Sequence, residues 1–245
     1  MRIPGNLLPL WQLACRSARA AEFAVMPRCC AFCGAARRHY ETAICAGCAG
    51  DLPWIPVQCP GCARPLAAQP AAGVVCAGCQ RRAMPFDSAV APLAFEFPVD
   101  AAIRRFKFQR KLHYAEAFGE ILRGAAAKLP GDVDALLPVP LHWARHGVRG
   151  FNQAVEICRP LQRATGLPSI RNVARLRRTP YQSGLGARER RRNLAGAFAV
   201  RGRIRADHVV LVDDVITTGE TCSQLARVLL AHGVRKVSVL SLARA

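Results

Sequence analysis

Hydrophobic residues in the last third of the chain form one apolar run, then a helical repeat, then a second run. Residues 209–212 are four consecutive apolar residues and predict a strand buried on both faces, as in the middle of a parallel sheet. Residues 219–232 repeat apolar positions at helical spacing, and 235–242 predict another strand. Further strands are predicted within 87–97 and 134–142, and helices within 99–114, 115–129 and 152–164. The alternation predicts an α/β fold with a mostly parallel sheet flanked by helices.

Two acidic residues follow the apolar run directly. Because side chains alternate along a strand, Asp213 and Asp214 cannot both point into one core, so we expect them at or beyond the strand's carboxyl end. The next loop supplies hydroxyls and a glycine at Thr217, Thr218, Gly219 and Thr221. A strand, an acidic pair, such a loop and a helix start together predict a phosphate site with carboxylates beside it.

Other protein classes share part of this pattern. A P-loop would need a lysine after a glycine, and none of the four lysines follows one. Receiver domains carry their acidic strand end early, whereas only 31 residues follow Asp214. Simple helix capping by Asp and Thr is the remaining alternative, but capping needs one such residue rather than a run of them.

Positive charge is concentrated in the middle of the sequence. The net charge is +19, of which residues 101–205 contribute +16, residues 1–100 +3 and residues 206–245 none. Genome composition explains arginine in place of lysine but not the excess of positive charge. The block favours binding of a polyanion, either nucleic acid or a polyphosphate, over a merely solvated face.

Eight of the twelve cysteines form four C-x-x-C pairs within residues 30–79. They are Cys30 and Cys33, Cys45 and Cys48, Cys59 and Cys62, and Cys76 and Cys79. Glycines within or beside the pairs allow the tight turns that direct two thiolates at one ion. Four pairs predict two structural Zn²⁺ sites of four cysteines each, and the pairs can be combined in three ways.

A disulfide framework and a redox pair are the rival interpretations of these cysteines. A disulfide framework suits a secreted chain, and a redox protein needs only one C-x-x-C, so neither predicts four pairs in 50 residues. Cys29 could replace Cys30 as a ligand. Cys15, Cys158 and Cys222 have no partner in sequence and are expected to be buried as small apolar residues.

The amino-terminal residues are apolar, but Pro4 and Pro9 interrupt them and Arg16 follows. They fit neither a signal peptide nor a membrane span, so we expect a cytoplasmic protein with a leader over residues 1–28. The cysteines predict a double zinc ribbon over 29–82, and the α/β domain follows over 83–245.

Residues 209–221, "VVLVDDVITTGET", closely resemble the PRPP-binding motif of type I phosphoribosyltransferases. With the cysteine pairs, "DALLPVPLHWARHGVRGFNQA" and "RTPYQSGLGARERRRNLAGAF", the sequence resembles the competence protein F (ComF) family over roughly residues 28–245. The resemblance implies a type I phosphoribosyltransferase-like sheet preceded by a small double zinc ribbon.

The resemblance also implies roles for individual residues. Asp213 and Asp214 would hold the ribose 2′- and 3′-hydroxyls, and the loop from Thr217 to Thr221 would surround the 5′-phosphate. The turn Pro140–Arg145 corresponds to the pyrophosphate loop, which adds Arg145 to the PRPP-binding residues. The segment matching a flexible loop that closes over the ligand contains Arg188, Arg190, Arg191 and Arg192. Mg²⁺ would accompany PRPP.

Two functions follow from the resemblance. The first is a PRPP-binding competence factor whose zinc ribbons and basic block contact single-stranded DNA during natural transformation. A zinc-ribbon scaffold that docks a helicase-like partner is a plainer variant of it. The alternative is an active phosphoribosyltransferase, similar to the amidophosphoribosyltransferases, that transfers ribose 5-phosphate from PRPP with release of pyrophosphate. The basic block favours the first function, because it suits a polyanion larger than PRPP.

Overall fold

The computed structural model describes residues 28–37, 42–71, 73–176 and 196–245. The predicted leader lies almost entirely outside this part of the chain. The chain forms two compact units, Met1–Asp51 and Leu52–Ala245. The predicted division after residue 82 stays a proposal, but the compact unit of the sheet begins before the last two cysteine pairs.

The described residues of the first unit contain two cysteine pairs. Strands β1 (Arg28–Cys29) and β2 (Ala36–Arg37) pair antiparallel, and the short helix α1 (Ala46–Gly50) follows. Gly34 connects the strands with a φ of +76°, a conformation that glycine adopts without strain. The turn brings the first cysteine pair of the sequence toward the second.

The second unit contains the remaining elements. In chain order they are α2 (Ala77–Arg81), β3 (Ser88–Val90), β4 (Leu93–Ala94), α3 (Val99–Gln109), α4 (Tyr114–Ala126), β5 (Ala135–Pro138), α5 (Trp143–Arg149), α6 (Gln153–Thr165), β6 (Val173–Arg175), β7 (Phe198–Val200), β8 (His208–Ile216), α7 (Glu220–Ala231) and β9 (Lys236–Arg244). The pattern of apolar residues predicts the long helices and the central strands correctly, but it does not predict α2, α5, β6 or β7.

A parallel sheet forms the centre of this unit. Its strands lie in the order β3-β9-β8-β5, and β4 continues beside β9. Strands β6 and β7 form a separate antiparallel pair. The predicted α/β class, with a mostly parallel sheet flanked by helices, is confirmed.

Both faces of β8 are covered, as the apolar run predicts. Val209, Val210, Leu211 and Val212 are all inaccessible to solvent. Val209 and Leu211 share a core with Leu225 of α7, and the alternating side chains of Val210 and Val212 point to the opposite face.

The carboxyl end of β8 differs in part from the sequence prediction. Its pairing with β5 stops at Val212, whereas its pairing with β9 continues to Ile216. Asp213 and Asp214 therefore lie beyond the end of the sheet only on the side of β5. On the other side, Asp213 is still in register with Ser241.

Candidate functional site

The eight predicted zinc ligands lie in two groups. The first cysteine group consists of Cys30, Cys33, Cys45 and Cys48, and the second cysteine group consists of Cys59, Cys62, Cys76 and Cys79. Within each group the four sulfurs lie within 4.8 Å of one another. The structure thus selects one of the three possible pairings, in which pairs adjacent in sequence share a site.

The distances between sulfurs fit a tetrahedral zinc site. Zn–S bonds of about 2.3 Å place two tetrahedral ligands about 3.8 Å apart. The Sγ atoms of Cys33 and Cys45 are 3.8 Å apart, and those of Cys62 and Cys76 are 3.6 Å apart. Each group could therefore hold one zinc ion. Cys29 belongs to neither group, so Cys30 is the ligand at this position.

Backbone amides support the thiolates in both groups. The amide of Cys45 donates to Sγ of Cys30 at 3.3 Å, and the amide of Cys76 donates to Sγ of Cys59 at 3.2 Å. Burial alone would raise the pKa of Cys30 and of Cys76. Hydrogen bonds from backbone amides and from neighbouring cysteine side chains outweigh burial and lower these pKa values to about 6 and about 7.

The other cysteines are not part of these groups. Cys158 and Cys222 are buried, as predicted for small apolar residues, and Cys15 lies outside the described residues. The cysteines that the structure describes form no disulfide. The rival disulfide framework therefore has no support in this part of the chain.

The acidic pair on β8 has a cationic neighbour that the sequence does not reveal. Lys107 of α3 places Nζ 2.6 Å from Oδ2 of Asp214, whose side chain is only 9% exposed. Asp213 accepts a hydrogen bond from the amide of Asp214 at 2.9 Å. Two carboxylates and one ammonium group therefore meet at the carboxyl edge of the sheet.

Crowding of the carboxylates changes their acidity. Burial and the negative charge of Asp214 raise the pKa of Asp213 to about 7, although the Lys107 ammonium opposes this shift. Near neutral pH, Asp213 therefore keeps its proton more readily than an exposed aspartate would. A ligand that donates hydrogen bonds or brings positive charge would favour full ionisation of Asp213.

The predicted phosphate loop directly follows β8. Thr217 and Thr218 are exposed, and Gly219 has a φ of +73° at the start of helix α7. Oγ1 of Thr218 accepts a hydrogen bond from the amide of Glu220 at 3.4 Å. Thr221 lies in the first turn of α7 and is half-buried. The loop presents hydroxyls and a helix amino terminus beside the acidic pair, an arrangement suited to an anion.

Glu220 is a buried carboxylate next to this loop. Its Oε2 lies 3.4 Å from Arg82, and its Oε1 accepts a hydrogen bond from Gln224 at 2.8 Å. Arg82 follows α2 directly, so this ion pair connects the end of the second cysteine group to the start of α7. Met84 and Phe86 also lie near the position that a Cβ on Gly219 would take, at 3.7 and 3.9 Å.

Arg244 makes a second connection between the cysteines and the loop. This side chain is buried at the end of β9 and donates from Nε to the carbonyl of Cys62 at 3.1 Å. Its Nη1 donates to the carbonyl of Ile216 at 3.2 Å, immediately before the phosphate loop. One guanidinium group therefore holds a cysteine turn and the end of β8 together.

The remaining predicted ligand-binding residues are only partly described. Val139 to His142 connect β5 to α5, and Trp143 to Arg149 form this helix, so the connection is shorter than the predicted turn Pro140–Arg145. Arg145 lies in this helix, and its side chain is outside the described part of the structure. The four arginines of the predicted flexible loop, Arg188, Arg190, Arg191 and Arg192, also lie outside the described residues.

Lys107, Glu220 and Arg244 were not predicted as members of this site. Their partners are far away in sequence, so local spacing does not reveal the contacts. One sequence signal points to Lys107. It lies beside the buried stripe of α3 that contains Ile103 and Phe106, and a lysine in such a place is rarely buried unless it is paired. No sequence pattern around Arg244 identifies it as a member of the site.

Proteins with similar sequences support this description. The sequence is 32% identical over 228 residues to the DNA utilization protein YhgH of Salmonella typhimurium, covering 89% of this chain and 98% of that protein. It is 31% identical to competence protein F of Haemophilus influenzae, covering 88% of this chain and 96% of that protein. The chain belongs to the competence protein F family.

A more distant relative in this family is competence protein ComFC of Bacillus subtilis, 27% identical over 78% of this chain and 79% of that protein. No family model matches the chain. Family membership confirms the resemblance that the sequence motifs indicate.

Two solved structures were also found to be similar to part of this chain. One is the allosteric regulatory enzyme of purine biosynthesis, with 18% identity and a TM-score of 0.35 over 52% of this chain and 25% of that one. The other is the glutamine PRPP amidotransferase of B. subtilis in complex with ADP and GMP, with 19% identity and a TM-score of 0.37 over 53% and 26%.

None of the helices that the structure describes combines the length and the apolarity that a membrane crossing needs.

Proposed function

We propose that this protein binds PRPP, together with Mg²⁺, at the carboxyl edge of its sheet, and that it handles single-stranded DNA during natural transformation. One observation carries the first half of the proposal. Asp213 and Asp214 are neighbours within the last four residues of β8, and the hydroxyl-rich loop and the start of α7 follow the end of this strand directly.

The chemistry of the edge suits a ribose 5-phosphate. Ionised carboxylates accept hydrogen bonds from hydroxyl groups that are next to each other, as on a ribose ring. Backbone amides and hydroxyls around Gly219 would donate to a phosphate, and the helix dipole would favour its negative charge. Mg²⁺ would neutralise the negative charge of the diphosphate. The acidic residues of this edge do not need to contact the diphosphate themselves.

The second half of the proposal rests on relatives and on charge. Relatives of this chain are named for competence and for DNA utilization. The net charge of +16 over residues 101–205 exceeds what a single PRPP would need and suits a longer polyanion.

An active phosphoribosyltransferase is the second candidate, because the same acidic pair would serve a transfer reaction. It predicts pyrophosphate release in the presence of an acceptor. Binding of PRPP without any release, across candidate acceptors, would favour the first candidate.

Isothermal titration of PRPP with Mg²⁺ tests the ligand site. Asp213→Asn combined with Asp214→Asn should weaken PRPP binding by about tenfold or more, since two charge-assisted hydrogen bonds of roughly 1.5–3 kcal/mol each are weakened. Asp207→Asn is the matched control, because Asp207 precedes β8 at the opposite end of the strand. Equal PRPP affinity in the double variant and the control would remove the acidic pair from the site.

A further inference from the structure

A cavity of about 740 Å³ lies beside the edge strand β5. It is formed by the turn after β5, by α5 and α6, and by residues on and around β6 and β7. Its volume falls in the range of ligand pockets, and it is larger than one phosphate group requires. Neither the acidic pair nor the loop from Thr217 to Thr221 contributes to its lining, although Pro140 and Trp143 of the turn that matches the pyrophosphate loop do.

The lining of this cavity is basic. It includes four arginines, Arg159, Arg171, Arg175 and Arg201, and no aspartate or glutamate is among the lining residues. Arg159 forms an ion pair with Glu156 of the same helix at 2.6 Å. Arg171 and Arg201 are exposed and form no ion pair with any residue in the described ranges. The cavity is therefore a surface for a negatively charged partner.

Two exposed apolar side chains lie at the same cavity. Trp143 begins α5 and is 75% exposed, and Leu176 follows β6 and is 53% exposed. Large apolar side chains with this exposure mark binding surfaces when they line a groove. An indole that lines the same cavity as guanidinium groups offers a flat face for a base, and the guanidinium groups offer positive charges for the phosphates.

The backbone that carries two of the arginines is held in place. The amide of Arg201 donates to the carbonyl of Asn172 at 2.7 Å, and Nδ2 of Asn172 donates back to the carbonyl of Arg201 at 3.0 Å. The neighbouring Ile170 donates its amide to the carbonyl of Leu136 in β5 at 2.8 Å. Arg171 and Arg201 thus extend from neighbouring segments fixed to each other and to the sheet.

We propose that this arginine groove, defined by Trp143, Arg159, Arg171, Arg175, Leu176 and Arg201, binds single-stranded nucleic acid. Trp143 stacks on a base, and Arg171 and Arg201 contact phosphates of the backbone. The inference rests on the proposed function and specifies the surface that carries its DNA-binding half. Because the contacts go to phosphates and to a base face, the groove binds many sequences with similar affinity.

Charge distinguishes this occupant from a second copy of the chain. A symmetric contact through the groove would bring the same arginines of both copies together, with no carboxylate in the lining to balance them. A nucleic-acid strand supplies one negative charge per nucleotide at regular spacing and so matches several separated arginines at once.

Binding of a fluorescently labelled oligothymidine to the full-length protein tests the groove, and quenching of tryptophan fluorescence is a second readout. Arg171→Ala combined with Arg201→Ala should weaken binding about tenfold or more, and the slope of log affinity against log salt should become shallower by about 1.4, roughly 0.7 for each lost phosphate contact. Arg171→Lys combined with Arg201→Lys keeps the charge and should retain most of the slope. Trp143→Phe should abolish most of the tryptophan quenching caused by the oligonucleotide.

The matched control is Arg123→Ala combined with Arg163→Ala, which removes the same charge from α4 and α6 outside the groove. The control should change the affinity less than twofold. Equal losses in the groove and control variants would overturn the inference while leaving DNA binding by the protein intact. Absence of oligonucleotide binding by the unchanged protein at low salt would instead contradict the DNA half of the proposed function. Quenching of Trp143 by pyrophosphate as strong as by the oligonucleotide would assign the groove to a small anion and overturn the inference.

Discussion

The two cysteine groups have the same pairs of ligands but different surroundings. In the first group only Cys30 is buried, and the group belongs to the small unit Met1–Asp51. In the second group three of the four cysteines are buried, and they belong to the unit of the sheet. Similar cysteine pairs can thus belong to a small unit in one place and be buried within a larger unit in another.

One equivalent position in the two groups shows the difference. The residue after the second cysteine of the leading pair is Gly34 in the first group and Ala63 in the second, and both have positive φ. A Cβ at Gly34 would have no neighbour within 4 Å, whereas Ala63 is inaccessible to solvent and packs in the core that contains Leu225. In the second group, an alanine occupies a position of positive φ that favours glycine, and its methyl group fills the core.

The largest expected effect is a different response to loss of each metal site. Cys59→Ser combined with Cys62→Ser should unfold much of the α/β unit, since structural zinc contributes an apparent 10–16 kcal/mol, about as much as the stability of a whole domain. Cys30→Ser combined with Cys33→Ser should leave the sheet folded. Thermal unfolding by circular dichroism, with zinc analysis, measures both.

The unchanged protein should contain about two zinc ions per chain, and the variant of the first group about one. Equal melting temperatures of the α/β unit in the two variants would remove the distinction between the groups.

Arg244→Met should produce the next largest effect. It leaves the buried carbonyl of Cys62 without this donor, at about 1–3 kcal/mol, and removes a hydrogen bond of about 1 kcal/mol from the carbonyl of Ile216, which keeps the amide of Ala245 as a donor. Chemical denaturation should therefore show a free energy of unfolding lower by roughly 2–4 kcal/mol. Arg235→Met is the matched control, because Arg235 forms an exposed ion pair with Asp207 and such pairs contribute little. A loss no larger than in the control would mean that Arg244 does not connect the second cysteine group to β8.

PRPP binding should depend on pH through Asp213, whose pKa is raised to about 7. The protonated form is favoured in the free protein below this value, while the ribose hydroxyls require the ionised acceptor. Affinity should therefore rise from pH 6 to pH 8, by up to about tenfold. Titration calorimetry across this range measures the change.

Lys107→Gln sharpens the same test. The Lys107 ammonium lowers the pKa of Asp213, so its removal should raise the pKa and move the midpoint of PRPP binding to higher pH. The same substitution at Lys111, an exposed residue that lies beyond the end of α3, is the control. A midpoint that does not move in Lys107→Gln would show that this lysine does not act on the acidic pair.

The smallest effects are expected from exchanging the residues at the equivalent position. Gly34→Ala should destabilise the first unit by about 1 kcal/mol, the cost of positive φ for a residue with a Cβ. Ala63→Gly relieves the same strain but removes a buried methyl group worth about 0.8 kcal/mol, so the net change should be within about 0.5 kcal/mol. A large loss in Ala63→Gly, seen in thermal melts, would mean that packing dominates at this position.

Features with local causes were predictable from the sequence. The run Val209–Val212 is apolar because both faces of β8 are covered, and the glycines at the cysteine pairs reflect tight turns. The acidic pair and the loop from Thr217 to Thr221 are continuous in sequence, so their proximity needed no knowledge of the fold. The membership of the two cysteine groups was open, because three combinations of pairs satisfy the same spacing.

Features that depend on contacts distant in sequence were not predictable. Lys107 of α3 forms an ion pair with Asp214 of β8, and no spacing rule joins these residues. The same holds for Arg82 and Glu220. The apolar pattern underestimates the length of β8. Its last residues pair only with β9, and polar side chains there interrupt the apolar run.

The central claim is that the edge formed by the acidic pair and the phosphate loop binds PRPP within the unit that contains the second cysteine group. Hydrogen–deuterium exchange with and without PRPP and Mg²⁺ tests it most directly. Amides of residues 213–222 should exchange more slowly with the ligand, whereas amides of residues 42–51 in the first unit should be unaffected. Slower exchange confined to residues 42–51, or no change in residues 213–222 at saturating PRPP, would contradict the account.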